Sequence, residues 1–214
     1  MAKEPRSLSG KVVAITGGGR GIGRAIAHAL AREGALVAVG DVDAASAETV
    51  ATELGGQALG LPLDVTDHAG FTAFLDEVEQ QLGPLDVLVN NAGIMPVTPL
   101  LEESPESISR QLEINLHAVI HGTQEAVRRM VPRRSGHIVQ ISSVGGRLAT
   151  PGLSAYQSAK WAVGGFSSVL AGEVGPLGIK VTVIEPGGMP TDWAGSSMSV
   201  AEVRPEYEET VGLR

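Results

Sequence analysis

The sequence predicts an α/β fold, a doubly wound parallel sheet with helices packed on both faces, in three αβα layers. Short apolar runs rich in Val, Ile and Ala alternate with longer helix-period segments along most of the 214 residues. Runs of that kind suit strands buried on both faces. The βαβαβ rhythm, with its right-handed crossovers, brings every strand's C-terminal end to one edge of the sheet. A glycine-rich turn joins the first strand to the first helix, at the edge where open α/β sheets bind their ligands.

In order, strands are expected at 12–16, 35–40, 58–63, 87–90, 137–142 and 180–185, several of them apolar nearly throughout. Between them lie helical segments at 21–33, 43–54, 67–82, 104–131 and 154–175. Residues 186–214 are mostly polar, with one weakly helical stretch near 199–211 and no visible seventh strand. No Pro/Ser/Gly tract reads as a linker, so residues 1–214 are expected to form one Rossmann-type domain with a sizeable core.

Composition narrows the function. The net charge of −8 and pI near 5.1 argue against a nucleic-acid or anionic-membrane partner. There are no cysteines, which excludes disulfides and thiolate metal sites. The N-terminus, Met1-Ala2-Lys3-Glu4-Pro5-Arg6, lacks an apolar signal core, and the apolar runs are too short to span a bilayer. A soluble cytoplasmic protein is the expectation. His117 and His121 stand four apart on a helix, a spacing that can chelate zinc, but no third ligand accompanies them and no metal site is expected.

The turn itself is Thr16-Gly17-Gly18-Gly19-Arg20-Gly21-Ile22-Gly23, spaced G-x3-G-x-G. Glycines let the backbone turn sharply and let a pyrophosphate approach the main chain, while the helix beginning at Ile22 aims free N–H groups at it. No Gly-Lys-Ser/Thr follows, so it is not a P-loop. The candidate cofactor contacts here are Gly17, Gly19, Arg20, Gly21, Ile22 and Gly23. Asp41 ends the second strand, eighteen residues past Gly23, placed to accept hydrogen bonds from the adenosine ribose. Its carboxylate repels a 2′-phosphate and favours NAD over NADP; the Arg20 guanidinium pulls the other way.

Tyr156-Gln157-Ser158-Ala159-Lys160 carries the chemistry. A tyrosine with its ordinary pKa of about 10 is a poor acid–base group at neutral pH. Lys160, one helical turn on, lies on nearly the same face, where an ammonium would favour the phenolate and bring the tyrosine toward working pH. Ser143 lies thirteen residues before the tyrosine.

The glycine turn, Asn90-Asn91-Ala92-Gly93, Asn115, Ser143, Tyr156 and Lys160, in this order, resemble a short-chain dehydrogenase/reductase, over about residues 8–191. The resemblance implies hydride transfer between a nicotinamide cofactor and an alcohol or carbonyl substrate. It implies that Tyr156 moves the proton, that Ser143 holds the substrate oxygen, and that Lys160 binds the nicotinamide ribose. Asn115 would anchor a water that links the lysine to solvent. It places Asp64-Val65 at the adenine, Asn91, Ala92 and Gly93 along the cofactor, and Pro186-Gly187 with Thr191 beneath the nicotinamide. It also implies a homodimer or homotetramer through helices 104–131 and 154–175, and a further helix and seventh strand that residues 186–214 do not supply. Met189, Trp193 and Met198 are candidates for a lid over the ligand. The rival reading is a cofactor-binding sensor or scaffold without turnover; a nucleotide-sugar epimerase fits the glycine spacing less well.

Overall fold

Six parallel strands form one sheet, in the order β3-β2-β1-β4-β5-β6. The structure is a computed structural model that describes residues 7–189 and 204–211. The strands are β1 (Val12–Thr16), β2 (Leu36–Asp41), β3 (Leu59–Pro62), β4 (Val87–Asn90), β5 (Gly136–Ile141) and β6 (Ile179–Ile184). The helices are α1 (Gly21–Arg32), α2 (Ala44–Leu54), α3 (His68–Leu82), α4 (Pro105–Leu112), α5 (Ala118–Met130) and α6 (Ser154–Val174). The chain runs outward from β1 to β3, then returns to β4 on the other flank of β1. That reversal leaves a crevice above the C-terminal ends of β1 and β4, and the candidate site residues gather there.

The two-residue period of each strand divides the core. Val13 and Ile15 face α1 and α2, packing with Ala27, Val37, Val39, Ala47 and Val50. Val12 and Ala14 face the opposite way, into a larger cluster with Phe71, Leu75, Leu88, Met130, Ile138 and Leu170 from α3, α5, α6 and the sheet. Helix starts follow local chemistry. Asp43, Asp67 and Ser104 cap α2, α3 and α4 by accepting from the N–H groups of Ser46, Ala69 and Ser107. Among the described residues no helix is long and apolar enough to cross a membrane, and no cluster of three or more His, Cys, Asp or Glu is placed to hold a metal.

Strand bounds shift by about one residue from those read in the sequence, because cross-strand pairing selects which of the flanking residues join the ladder. The expected helix over 104–131 divides. α4 ends at Leu112, a π turn covers Glu113–His117, and α5 follows. Its cause is visible at Asn115, fully buried within the π turn. Asn115 Oδ1 accepts from the Ile94 N–H at 3.0 Å and its Nδ2 donates to the Ile94 carbonyl at 2.9 Å. Drawing the amide onto that loop takes a residue out of α-helical register. The helical stretch expected at 199–211 appears, within the described part, as a 3-10 turn at Pro205–Tyr207.

A polar network sits at the centre of the α5-facing layer. Asn90 Nδ2 donates to Gln140 Oε1 (2.9 Å) and Thr123 Oγ1 (3.1 Å), Gln140 Nε2 donates to the same Oγ1 (3.0 Å), and that hydroxyl donates to the Val119 carbonyl (2.6 Å). All three side chains are buried. Thr123→Val keeps the shape but leaves the Gln140 amide without its acceptor. The expected loss is about 1–3 kcal/mol of unfolding free energy, read as a lower urea midpoint at unchanged slope.

Candidate active site

The crevice is a cleft of about 530 Å³ whose lining comes from both halves of the sheet. Its floor is fixed by main-chain clamps. The Thr16 hydroxyl accepts from the N–H groups of Asn91 (3.0 Å) and Ala92 (3.1 Å), while Asn91 Nδ2 donates to the carbonyls of Thr16 (3.0 Å) and Gly17 (2.8 Å). Asn90-Asn91-Ala92-Gly93 thus ties the end of β4 to the glycine turn. Gly17 has φ 62°, and a Cβ there would stand 2.7 Å from the Ala92 Cα. At Gly23 a Cβ would stand 2.4 Å from the Gly17 carbonyl oxygen, so only glycine lets α1 approach the turn.

Asp41 braces the turn from the other side. Its Oδ2 accepts from the Gly19 N–H at 2.9 Å and its Oδ1 from the Asp43 N–H at 3.1 Å. Gly17, Arg20, Gly21, Ile22 and Asp41 line the cleft, as do Asp64, Val65, Asn91, Ala92, Gly93, Pro186 and Gly187. Gly19 and Gly23 do not; they shape the turn from behind. Thr191, Trp193 and Met198 lie outside the described residues. Asp64 is held ionised, its pKa lowered first by the Thr66 backbone and side-chain hydrogen bonds and further by the Arg110 charge.

At the other end stand Ser143, Tyr156 and Lys160, all on the cleft. The Ser143 Oγ accepts from the Gly145 N–H at 3.0 Å, which caps a 3-10 turn and orients the hydroxyl. Tyr156 and Lys160 rise from the first turns of α6, both buried. The Lys160 Nζ donates to the Ile141 carbonyl at 3.0 Å and lies 5.7 Å from the centre of the Tyr156 ring. Burial brings the Lys160 ammonium down from its ordinary value to about 8. Burial also raises the Tyr156 phenol, with the Ser143 hydrogen bond working against the rise. Burial, rather than the lysine one turn on, sets the direction of the phenol's shift.

Asn115 does not line the cleft. Its amide pairs with the Ile94 main chain, accepting through Oδ1 and donating through Nδ2. Sequence reasoning passed over the pair Gln157–Thr150. Gln157 Oε1 accepts from the Thr150 N–H (2.8 Å) and its Nε2 donates to the Thr150 hydroxyl (3.1 Å), pinning the loop after β5 onto α6. The position of Gln157, next to Tyr156 on a helix entering the site, was the available signal.

The cleft suits a dinucleotide. Its volume falls in the range of small-molecule sites. α1 begins at the glycine turn with no side-chain cap and no acidic residue in its first turn. Gly187 and Gly188 line the far end with open space where a Cβ would stand, as close approach by a flat ring requires.

Comparison with known proteins agrees. The family described as short chain dehydrogenase matches residues 11–200. Oxidoreductase BOA17 of Botryotinia fuckeliana is 42% identical over 203 residues, covering 94% of this chain and 74% of that protein. The 3-oxoacyl-[acyl-carrier-protein] reductase FabG of Haemophilus influenzae is 39% identical over 185 residues, 86% of this chain and 76% of that one. The crystal structure of 3-ketoacyl-(acyl-carrier-protein) reductase from Brucella melitensis complexed with NADH superposes with a TM-score of 0.85 at 32% identity. It covers 87% of this chain and 79% of that one.

The Lys160 shift has a consequence for stability. Its folded pKa lies below the unfolded value of 10.5, so between about pH 8 and 10.5 the unfolded chain retains a proton that the folded chain has shed. Stability therefore rises with pH across that window. The expected gain from this group between pH 7.5 and pH 9.5 is about 2 kcal/mol. Lys160→Met should abolish it and be at least as stable as the parent at pH 7.5, as urea melts at the two pH values would record.

Proposed function

The chain belongs to the short-chain dehydrogenase family of nicotinamide-linked oxidoreductases, and we propose that it interconverts an alcohol and a carbonyl compound with NAD as its cofactor. The observation that carries the proposal is the meeting of Ser143, Tyr156 and Lys160 at the nicotinamide end of a cleft whose other end is the glycine turn. When bound, the nicotinamide supplies or accepts the hydride.

The protein's own groups handle the oxygen and its proton. Ser143 already accepts from Gly145, so its hydroxyl hydrogen is available to the substrate oxygen, where negative charge develops during reduction. Tyr156 delivers the proton to that oxygen; its raised pKa keeps the proton in place until it is needed. As the phenolate forms, the ammonium on the same face of α6 stabilises it. Lys160 spends one of its three donors on Ile141, which fixes the side chain and leaves others for the ribose. The main chain of the Asn115 turn serves the proton path behind the lysine. Asp64 and Val65 hold the adenine end, and Pro186 and Gly187 the nicotinamide end.

Asp41 favours NAD. Its carboxylate is immobilised by two backbone N–H groups and still has lone pairs for ribose hydroxyls, while its charge opposes a 2′-phosphate. We further assign the exposed α6 face that bears Trp161, Gly165 and Val169 to contact with a second copy of the chain. Its glycines have open space at the Cβ position, which permits close helix approach.

Tyr156→Phe should lower turnover by about 10²–10⁴-fold and leave NADH affinity within twofold of the parent. An unchanged rate would favour a sensor over an enzyme. Because the phenol pKa is raised, alcohol oxidation should climb with pH as the phenol ionises, and carbonyl reduction should fall along the same limb, in rate profiles taken in both directions. By calorimetry NAD should bind at least about tenfold more tightly than NADP, roughly 1.4 kcal/mol, and Asp41→Asn should close the gap.

A further inference from the structure

The charged side chains of the cleft are segregated. Arg20, Asp41 and Asp64 stand at the ends of β1, β2 and β3, and the Arg110 charge acts on Asp64, so all four belong to the adenosine half. Over β4, β5 and β6 the apolar wall is Ile94, Met95, Val144, Leu148, Leu153 and Met189, and among the described residues the one cation there, Lys160, is buried against the Ile141 carbonyl. Arg147, on the same loop as Leu148, is turned to Glu185 at 2.8 Å and does not line the cleft.

Neutral polar groups also stand in that half. Gln157 and Thr150 bond to each other. Among the described residues the Ser143–Tyr156 pair is placed to receive one oxygen atom of a substrate, and the Thr150 hydroxyl keeps one neutral donor. From this we infer that the substrate is an uncharged ketone or secondary alcohol whose substituents, out to the mouth of this half, are apolar and carry no ionised group. The inference rests on the oxidoreductase reading above and narrows it. A carboxylate, phosphate or ammonium entering this half would lose its water and meet Leu148, Met95 or Met189 instead of a counter-charge. Leu148 and Met189 are more than half exposed, 63% and 53%, so apolar surface waits at the mouth for a ligand to cover it.

The test is a matched pair reduced with NADH: 2-octanone and 7-oxooctanoate, the same chain ending in a methyl or a carboxylate. The expected kcat/KM for 2-octanone exceeds that for 7-oxooctanoate by about 30-fold or more. Leu148→Arg, at an exposed position, should narrow the ratio by about tenfold with NADH affinity unchanged by calorimetry. Equal rates, or a preference for 7-oxooctanoate, would overturn the inference while leaving an oxidoreductase in place. Saturable NADH binding with no reduction of either ketone, or of a wider panel of neutral and charged carbonyls, would overturn the oxidoreductase reading and this assignment with it.

Discussion

The parting of β1 and β4 is the constraint on which the rest of the molecule depends. Two adjacent parallel strands send their chains to opposite sides, and the gap must be held open yet not allowed to widen. One buried hydroxyl, that of Thr16, accepts from two successive N–H groups across the gap, and one amide, that of Asn91, returns two contacts. These bonds set the distance between the glycine turn and the far loops. Gly17 and Gly23 are glycines because those bonds draw backbone against backbone until no Cβ fits.

Below the gap the core carries two kinds of polar burial, with opposite effects on stability. Asn90, Thr123 and Gln140 are buried and satisfied, and they join β4 to β5 and both to α5. Lys160 is buried with a single protein acceptor, and below about pH 8 its charge opposes folding. The first arrangement specifies the packing of the layer. The second keeps a cation where a folded chain would otherwise place a methionine or leucine, a cost that the proposed role beside Tyr156 would account for.

Much of this was legible in the sequence. Strand and helix order followed from period and breakers, and the strand bounds moved by about one residue. The glycine turn, Asp41, Ser143, Tyr156 and Lys160 stand out as candidates because turn chemistry and one-turn helical spacing are local, and the structure gathers them along one cleft. What escaped was long-range. Asn115 was conspicuous as an amide inside a helix, but its partner Ile94 lies 21 residues away, and the π turn that follows from the pairing has no local signature. The Asn90–Thr123–Gln140 network joins residues up to 50 apart. The direction of the Tyr156 shift depends on how deeply α6 sits, and spacing alone does not report depth.

Segregation of charge along the cleft divides the molecule in another sense. Charged residues line the cleft over β1 to β3, and apolar residues line it over β4 to β6. They meet only through main-chain clamps that carry little information about either. Substitutions at Arg20, Asp41 or Arg110 and substitutions at Met95, Leu148 or Leu153 therefore act on separate surfaces, and their effects on binding should add. A lineage using this scaffold can exchange its electron carrier without relearning its substrate, and can change substrates without disturbing its carrier.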